Sequence, residues 1–421
     1  MIGHVPGSRL ACGLAVGFAL TVFPTLLGAA PTGVKDDAPE RMDTSTEDAW
    51  LRHGFSESQR EEIRAAFRWG IEREFVPGGA LLLIHRGEPI FREAFGVADL
   101  ESGRPFTVDA PCRIASVTKP HTATLMAMLV EQGKLGWNDP VDKYLPAFAG
   151  VSVRGKGPAA RSPRIRELLS HTAGFPGQPA IQSGQWRINI TGTLADAVND
   201  LPAQGLAAEP GSVHVYTGMG YMVAGRIGEV VTGKDFGALM EELLLDPIGA
   251  TTATFYPSEE LKARMPTPYE RKEGGLVRLD LSTRPEARAT FPNPGGRLIS
   301  TLDDVGRFLL LHRNRGVANG KRLIAPESLE ALYRPQPATG QSSYGLGFNV
   351  LKVGDNGIGV RLRHIGASGT LAQLDFESDL LIVFLTQVPQ AQTLPFRQRL
   401  MKAIYTVFQP PPPAQPGAPK Q

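Results

Sequence analysis

Residues 111 to 133 read Pro-Cys-Arg-Ile-Ala-Ser-Val-Thr-Lys-Pro-His-Thr-Ala-Thr-Leu-Met-Ala-Met-Leu-Val-Glu-Gln-Gly. Ser116 sits where the chain turns into a helix, and Lys119 follows three residues later. That spacing puts both side chains on one helix face, so the amine can reach the hydroxyl. A serine alone is a weak nucleophile and needs a neighbour that accepts its proton as it attacks. A lysine can serve when burial or nearby positive charge makes its neutral form accessible. The Ser116 N–H, at the helix start, has no intrahelical partner and can donate to a developing oxyanion. Leu125, Met128 and Leu129 fall at i, i+3 and i+4, and Gly133 suits the position just past the helix end. Ile114, Ala115 and Val117 make this a buried helix start, where a lysine needs a reason.

The 421 residues allow about three domains, or fewer large ones. A hydrophobic fraction of 42% is enough for a sizeable core. With 44 basic and 42 acidic residues the net charge is +2, and no basic stripe or acidic tail points to nucleic acid or a membrane surface. Of the two cysteines, Cys12 lies in the N-terminal apolar stretch, so a processed chain keeps Cys112 alone and no internal disulfide. The eight histidines show no metal-ligand spacing, so neither metal nor cofactor is expected.

Residues 1 to 30 read as a secretory signal: Arg9, the apolar run Leu10 to Leu27, then Gly28-Ala29-Ala30 as cleavage site. The expected location is secreted or periplasmic, without stable membrane insertion. An uncleaved anchor is the alternative, since the run is near the ~18 residues of a spanning segment. Residues 31 to 50 suit a flexible linker. A helix is predicted from about Ser56 to Glu74 with a Ser58/Glu61 capping box. Strands Ala80 to His85 and Pro89 to Phe95 follow, joined by Arg86-Gly87-Glu88. The texture then turns helical to about Pro337, with Ile165 to Ser170, Tyr221 to Thr232, Phe236 to Leu245 and a helix from Thr301 through Leu311. Strands return at Gly347 to Val353, Gly359 to His364, Thr370 to Phe376 and Leu380 to Thr386, and a last helix spans Pro395 to Phe408. Residues 409 to 421 read as a disordered Pro-rich tail.

This order has a natural solution: an α/β fold in which residues 51–114 and 340–408 pair into one antiparallel sheet flanked by terminal helices. Residues 115–339 then form an inserted helical domain carrying the nucleophile helix. Clefts favour such junctions, and Ser116 lies at one.

Two further stretches carry chemistry. Pro210-Gly211-Ser212-Val213-His214-Val215-Tyr216-Thr217-Gly218-Met219-Gly220-Tyr221 puts Tyr216 on a Gly-rich turn ahead of a helix. His364-Ile365-Gly366-Ala367-Ser368-Gly369-Thr370 lies in the strand-rich end. Ser-x-x-Lys, a tyrosine about a hundred residues on, and His-x-Gly near the end resemble the serine β-lactamase and penicillin-binding protein superfamily. The resemblance is to its class C-type group of esterases, D-aminopeptidases and D-alanyl-D-alanine carboxypeptidases. It extends through Leu168 to Gly174, Thr232-Gly233, Asp246 to Ala250 and Gly295 to Thr301, and so covers roughly residues 55 to 405.

The resemblance implies Ser116 as the acylated nucleophile, with Lys119 helping to deprotonate it. Tyr216 would be the general base in acylation and would activate water in deacylation. A phenol needs help to ionise at neutral pH, and a Lys119 cation alongside favours the phenolate. His364 would take the place usually held by lysine, lining the sheet side of the cleft with Gly366. The Ala367 N–H would be the second oxyanion donor. His171 falls in a loop-shaping motif. The departure is Gly218, where the group has asparagine. Losing that side chain's hydrogen bond costs ~1 to 3 kcal/mol when the partner is left buried. Esters have a better leaving group and no N–H to orient, so Gly218 favours ester hydrolysis.

The expectation is an exported serine hydrolase with an acyl-enzyme on Ser116, acting on small-molecule carboxylic esters, D-amino-acid-type amides or peptidoglycan-like substrates. The rivals are a true β-lactamase or D,D-carboxypeptidase, and a catalytically silent binder of cell-wall fragments.

Overall fold

The computed structural model describes residues 44–283, 290–336, 338 and 343–408. The signal segment, the first part of the linker and the Pro-rich tail lie outside the described residues. Seven strands form one sheet: β1 (Gly78–His85), β2 (Glu88–Asp99), β3 (Arg104–Pro105), β4 (Asn349–Val353), β5 (Gly359–Ile365), β6 (Leu371–Asp375) and β7 (Leu380–Leu385). Their spatial order is β4-β5-β6-β7-β1-β2-β3, with every neighbour antiparallel. The two ends of the chain meet where β1 pairs with β7, Leu82 opposite Val383.

β1 and β2 are joined by a two-residue turn in which Arg86 and Gly87 both have positive φ, 54° and 86°. That turn matches the twist of the flanking strands. Glu88, expected in the loop, pairs with His85 as the first residue of β2.

β1 and β7 are buried along their whole length, which explains their unbroken apolar sequences. Leu81 and Leu83 of β1 join one core with Ile382 and Phe384 of β7. α2 (Glu57–Glu72) adds Ile63 and Phe67 to it, and α7 (Leu394–Val407) adds Phe396, Leu400 and Ile404. Gly70 of α2 leaves room for the Phe396 ring to lie against the helix. The cap of α2 is Ser56 with Gln59, two residues earlier than the predicted Ser58 and Glu61. α1 (Thr44–Arg52) begins within the residues that composition alone assigned to the linker. It is held because Trp50 is fully buried against Phe55, Phe91 and Phe408.

The other sheet face, through Leu82, Ile84, Leu381 and Val383, packs in a second core. That core includes α3 (Thr118–Glu131), α4 (Ile165–Leu169), α5 (Met219–Thr232) and α6 (Leu302–Arg313). Thr301 caps α6 by accepting from Asp304 N–H at 3.2 Å. Its neighbour Asp303 is paired with Arg92 at 2.8 Å. Every residue of α3 from Thr118 to Leu129 is buried, so this helix is enclosed on all sides and not merely on the Leu125/Met128/Leu129 face. An enclosed helix is a rigid base for what stands at its first turn.

Candidate active site

The approach to α3 is set by a short strand pair, Cys112–Arg113 against Ile299–Ser300, continued by Ile114 N–H to the Leu298 carbonyl at 3.2 Å. Ala115 then takes φ 48°, a left-handed conformation uncommon for a residue with a β-carbon and a form of strain that collects at functional sites. A 3₁₀ turn over Ala115–Val117 leads into α3. Its first internal bond runs from Val117 N–H to Ile114 O, so Ser116 N–H lies ahead of the ladder. The Thr118 hydroxyl closes the turn by donating to Ala115 O at 2.7 Å.

Lys119 is 3% exposed. Its Nζ donates to Ser116 Oγ at 3.0 Å and to the Gly295 carbonyl at 2.6 Å. It also lies 4.9 Å from the centre of the Tyr216 ring and 5.3 Å from that of Tyr221. Among the described residues no carboxylate stands within ion-pair distance of it. The amine is surrounded by a hydroxyl, a carbonyl and two ring faces, a setting that attracts a cation without neutralising it. Gly295 is presented by an Asx-type turn in which Asn293 Oδ1 accepts from Gly295 N–H at 2.8 Å. Thr122 of α3 grips the same loop by donating to Pro294 O at 2.7 Å.

Tyr216 lies on the turn before α5. It is 44% exposed, and the other exposed large apolar side chains, such as Leu51 and Leu394, lie outside this cluster. Its ring centre is 4.4 Å from that of His171 and 6.2 Å from that of His364.

His364 is placed differently from the expected cleft wall. It is 1% exposed, with Nδ1 3.1 Å from Ile365 O and Nε2 3.1 Å from the Tyr344 hydroxyl. A carbonyl only accepts, so Nδ1 carries the proton and Nε2 accepts from Tyr344. Burial first, and the nearby Lys119 charge second, push its pKa down to about 3. The imidazole therefore supports the site from beneath, uncharged at neutral pH, and does not replace the positive charge of a lysine.

The turn after β5 faces the nucleophile. Gly366 N–H donates to Thr370 O at 2.8 Å. The Thr370 hydroxyl donates to Ile114 O at 2.9 Å, and Ser368 Oγ to Arg113 O at 2.6 Å. These bonds stitch the turn to the residues just before Ser116. A β-carbon on Gly366 would overlap Thr370 Oγ1 and the Ile114 carbonyl. Ala367 is exposed, and its N–H has no hydrogen-bond partner among the described residues, as an oxyanion donor requires.

The structure thus brings Ser116, Lys119, Tyr216, Gly366 and Ala367 to one place, with His364 below. Three contributors escaped the sequence reading: Gly295, Tyr344 and the close approach of His171. Among the described residues no group of three or more His, Cys, Asp or Glu side chains is disposed to hold a metal ion. A surface cavity of about 690 Å³ lined by Arg52, Glu88, Arg92 and Asp303 contains none of these site residues.

Comparison with known proteins identifies the family. The family model described as Beta-lactamase matches residues 63–405. The chain belongs to the beta-lactamase family. Among relatives in this family, penicillin-binding protein 4 of Amycolatopsis lactamdurans is 32% identical over 270 residues, 62% of this chain and 66% of that protein. Esterase EstB of Burkholderia gladioli is 28% identical over 320 residues, 68% of this chain and 77% of the esterase. Two solved structures share the fold. EstCE1, described as a hydrolase with promiscuous acyltransferase activity, superposes with a TM-score of 0.71 at 22% identity, over 83% of this chain and 99% of its own. Simvastatin synthase (LovD) from Aspergillus terreus gives a TM-score of 0.70 at 20% identity, over 84% and 99%.

Within the beta-lactamase family frame, Gly218 stands just ahead of α5 with φ −81° and ψ −19°, an ordinary helical conformation. A β-carbon there would meet nothing within 4 Å. The glycine is not demanded by the backbone. Gly218 also lies against Gly295, whose own β-carbon position is 3.4 Å from the Gly218 carbonyl.

Proposed function

We propose that this chain is an exported serine hydrolase that acts through an acyl-enzyme on Ser116, with carboxylic esters as preferred substrates and D-amino-acid-type amides as the second class. The observation that carries this reading is the contact of Lys119 Nζ with Ser116 Oγ at 3.0 Å. In acylation Ser116 Oγ attacks the ester carbonyl while its proton passes to the Lys119–Tyr216 pair. The carbonyl oxygen becomes an oxyanion in reach of the N–H groups of Ser116 and Ala367. Collapse of that intermediate breaks the C–O bond, and the leaving alkoxide takes up the proton. Water activated by half-exposed Tyr216 then releases the acid and restores Ser116. His364, neutral and held by Tyr344, keeps the sheet side of the site in shape.

The ester preference rests on Gly218. The group's asparagine would offer an amide-orienting contact near Lys119; here the amine donates to the Gly295 carbonyl instead. The esterase among the relatives supports the same preference. A second reading, as D,D-carboxypeptidase or β-lactamase, is favoured by the penicillin-binding relative. Rates on p-nitrophenyl esters, nitrocefin and D-Ala-D-Ala peptides, measured on one sample, decide between them. Faster ester turnover supports the first reading, and faster release of D-alanine or opening of nitrocefin replaces it. Labelling with a fluorescent phosphonate separates either enzyme from a silent binder.

Export rests on the Arg9, Leu10–Leu27 and Gly28-Ala29-Ala30 pattern. Among the described residues no helix is long and apolar enough to cross a membrane. Mass spectrometry of the protein recovered outside the cytoplasm should show a first residue near Pro31; a chain starting at Met1 would contradict cleavage.

A further inference from the structure

His171 follows α4 in a left-handed backbone conformation, φ 61°, and is 3% exposed. Its carbonyl accepts from Val215 N–H at 2.9 Å. Its Nδ1 accepts from Thr217 N–H at 3.2 Å. One residue therefore holds the main chain on both sides of Tyr216, and its ring lies 4.4 Å from the phenol ring.

The donors fix the tautomer. A backbone N–H can only donate, so Nδ1 is bare and the imidazole proton sits on Nε2. That Nε2 is buried with no hydrogen-bond partner among the described residues. Leaving a buried donor without a protein partner is costly. Here the orphan and the strained φ coincide with a specific task, which is how strain is distributed at functional sites. Tyr216 needs such help. It is half exposed, and its hydroxyl makes no hydrogen bond among the described residues. Among the described residues no other side chain or carbonyl holds the main chain through both of its neighbours.

We propose that His171 is the positioning residue for Tyr216, holding the phenol at a fixed place beside Lys119 by gripping Val215 and Thr217 and bearing on the ring. This rests on the proposed role of Tyr216 in proton transfer. His171 itself touches no substrate. It stays neutral: burial first, then the charge of Lys119, hold its pKa well below the ordinary value. Tyr221 and Tyr344, with ring centres 5.3 and 4.8 Å away, complete its surroundings.

The test compares His171→Phe, which keeps a ring and loses the acceptor, with His171→Asn. The asparagine restores an acceptor near Nδ1 and tolerates positive φ. On an activated ester, His171→Phe should lower kcat tenfold or more with KM within about twofold, and His171→Asn should recover most of kcat. In a Tyr216→Phe background, His171→Phe should add little further loss, because the residue it positions is already gone. Should His171→Phe not fold, His171→Gln, whose acceptor lies one bond farther out, takes its place with the same expected loss. A folded variant lacking the acceptor that retains wild-type kcat overturns the proposal, as does full additivity with Tyr216→Phe. A wild-type protein that neither labels at Ser116 nor turns over ester overturns the proposed function, and this inference with it.

Discussion

Lys119 and Gly295 are bound side chain to main chain: Nζ donates to the Gly295 carbonyl at 2.6 Å while reaching Ser116 Oγ at 3.0 Å. The two contacts fix the amine between the nucleophile and a loop 176 residues along the chain. Lys119→Ala removes both. It should lower kcat by roughly 10² to 10⁴, the usual scale for a group that moves the reacting proton. Ser116→Ala should abolish turnover, and Ser116→Ala/Lys119→Ala should lose no more than Ser116→Ala alone, because groups acting as a unit are not additive. Melting curves check that each variant folds. A Lys119→Ala enzyme near wild-type rate would show that the amine is a bystander.

Gly218→Asn should fold, since the position has an ordinary φ of −81° and open space for a β-carbon. If the absent carboxamide sets the ester preference, the ratio of amide to ester kcat/KM should rise, up to tenfold or more. That corresponds to a hydrogen bond to a charged group of about 1.5 to 3 kcal/mol. An unchanged ratio at preserved stability would remove Gly218 from the specificity argument.

Ser-x-x-Lys was legible because helical spacing is local: three residues apart on one face is a statement about a single turn. β1 and β7 were legible as short apolar runs bounded by turn residues, and the pairing of the two chain ends followed from the order of the elements. Gly295, Tyr344 and the approach of His171 were not legible. Each acts through a main-chain atom or a ring brought in from a distant loop, and neither glycine nor a buried tyrosine announces such a partner. The cap of α2 was misplaced because Ser56 and Ser58 both precede an acid or amide at the right interval. His364 was expected to face the cleft because a motif gives the residue and not its depth.

Gly366→Ala should be far more damaging than an ordinary glycine replacement. The added methyl overlaps Thr370 Oγ1 and the Ile114 carbonyl, breaking the bond that ties the Ala367 turn to the nucleophile strand. The expected result is loss of ester turnover by a hundredfold or more, the scale of losing one oxyanion donor, with a lower Tm. Wild-type kcat in this variant would mean that the turn contributes no oxyanion donor.

Acid should destabilise the fold in a defined window. Burial pushes His121 down to about 4, and His312 and His364 down to about 3, from an ordinary 6.5. Between those limits the unfolded chain takes up protons that the folded state refuses, so stability is full above pH 6.5 and falls as pH drops toward 3 to 4. Within the window each imidazole removes about 1.4 kcal/mol per pH unit. Denaturant titrations at pH 7.5, 5.5 and 4.5 should show stability falling in that order. A flat profile would mean that these histidines are not neutral and buried in the folded protein.

The most direct measurement is the mass of the protein during turnover of a slow ester, or after treatment with a fluorophosphonate. A single adduct of the acyl or phosphonyl group on Ser116, absent in Ser116→Ala and strongly slowed in Lys119→Ala, is the predicted result. An adduct on another residue, or undiminished ester hydrolysis by folded Ser116→Ala, would contradict the acyl-enzyme at Ser116.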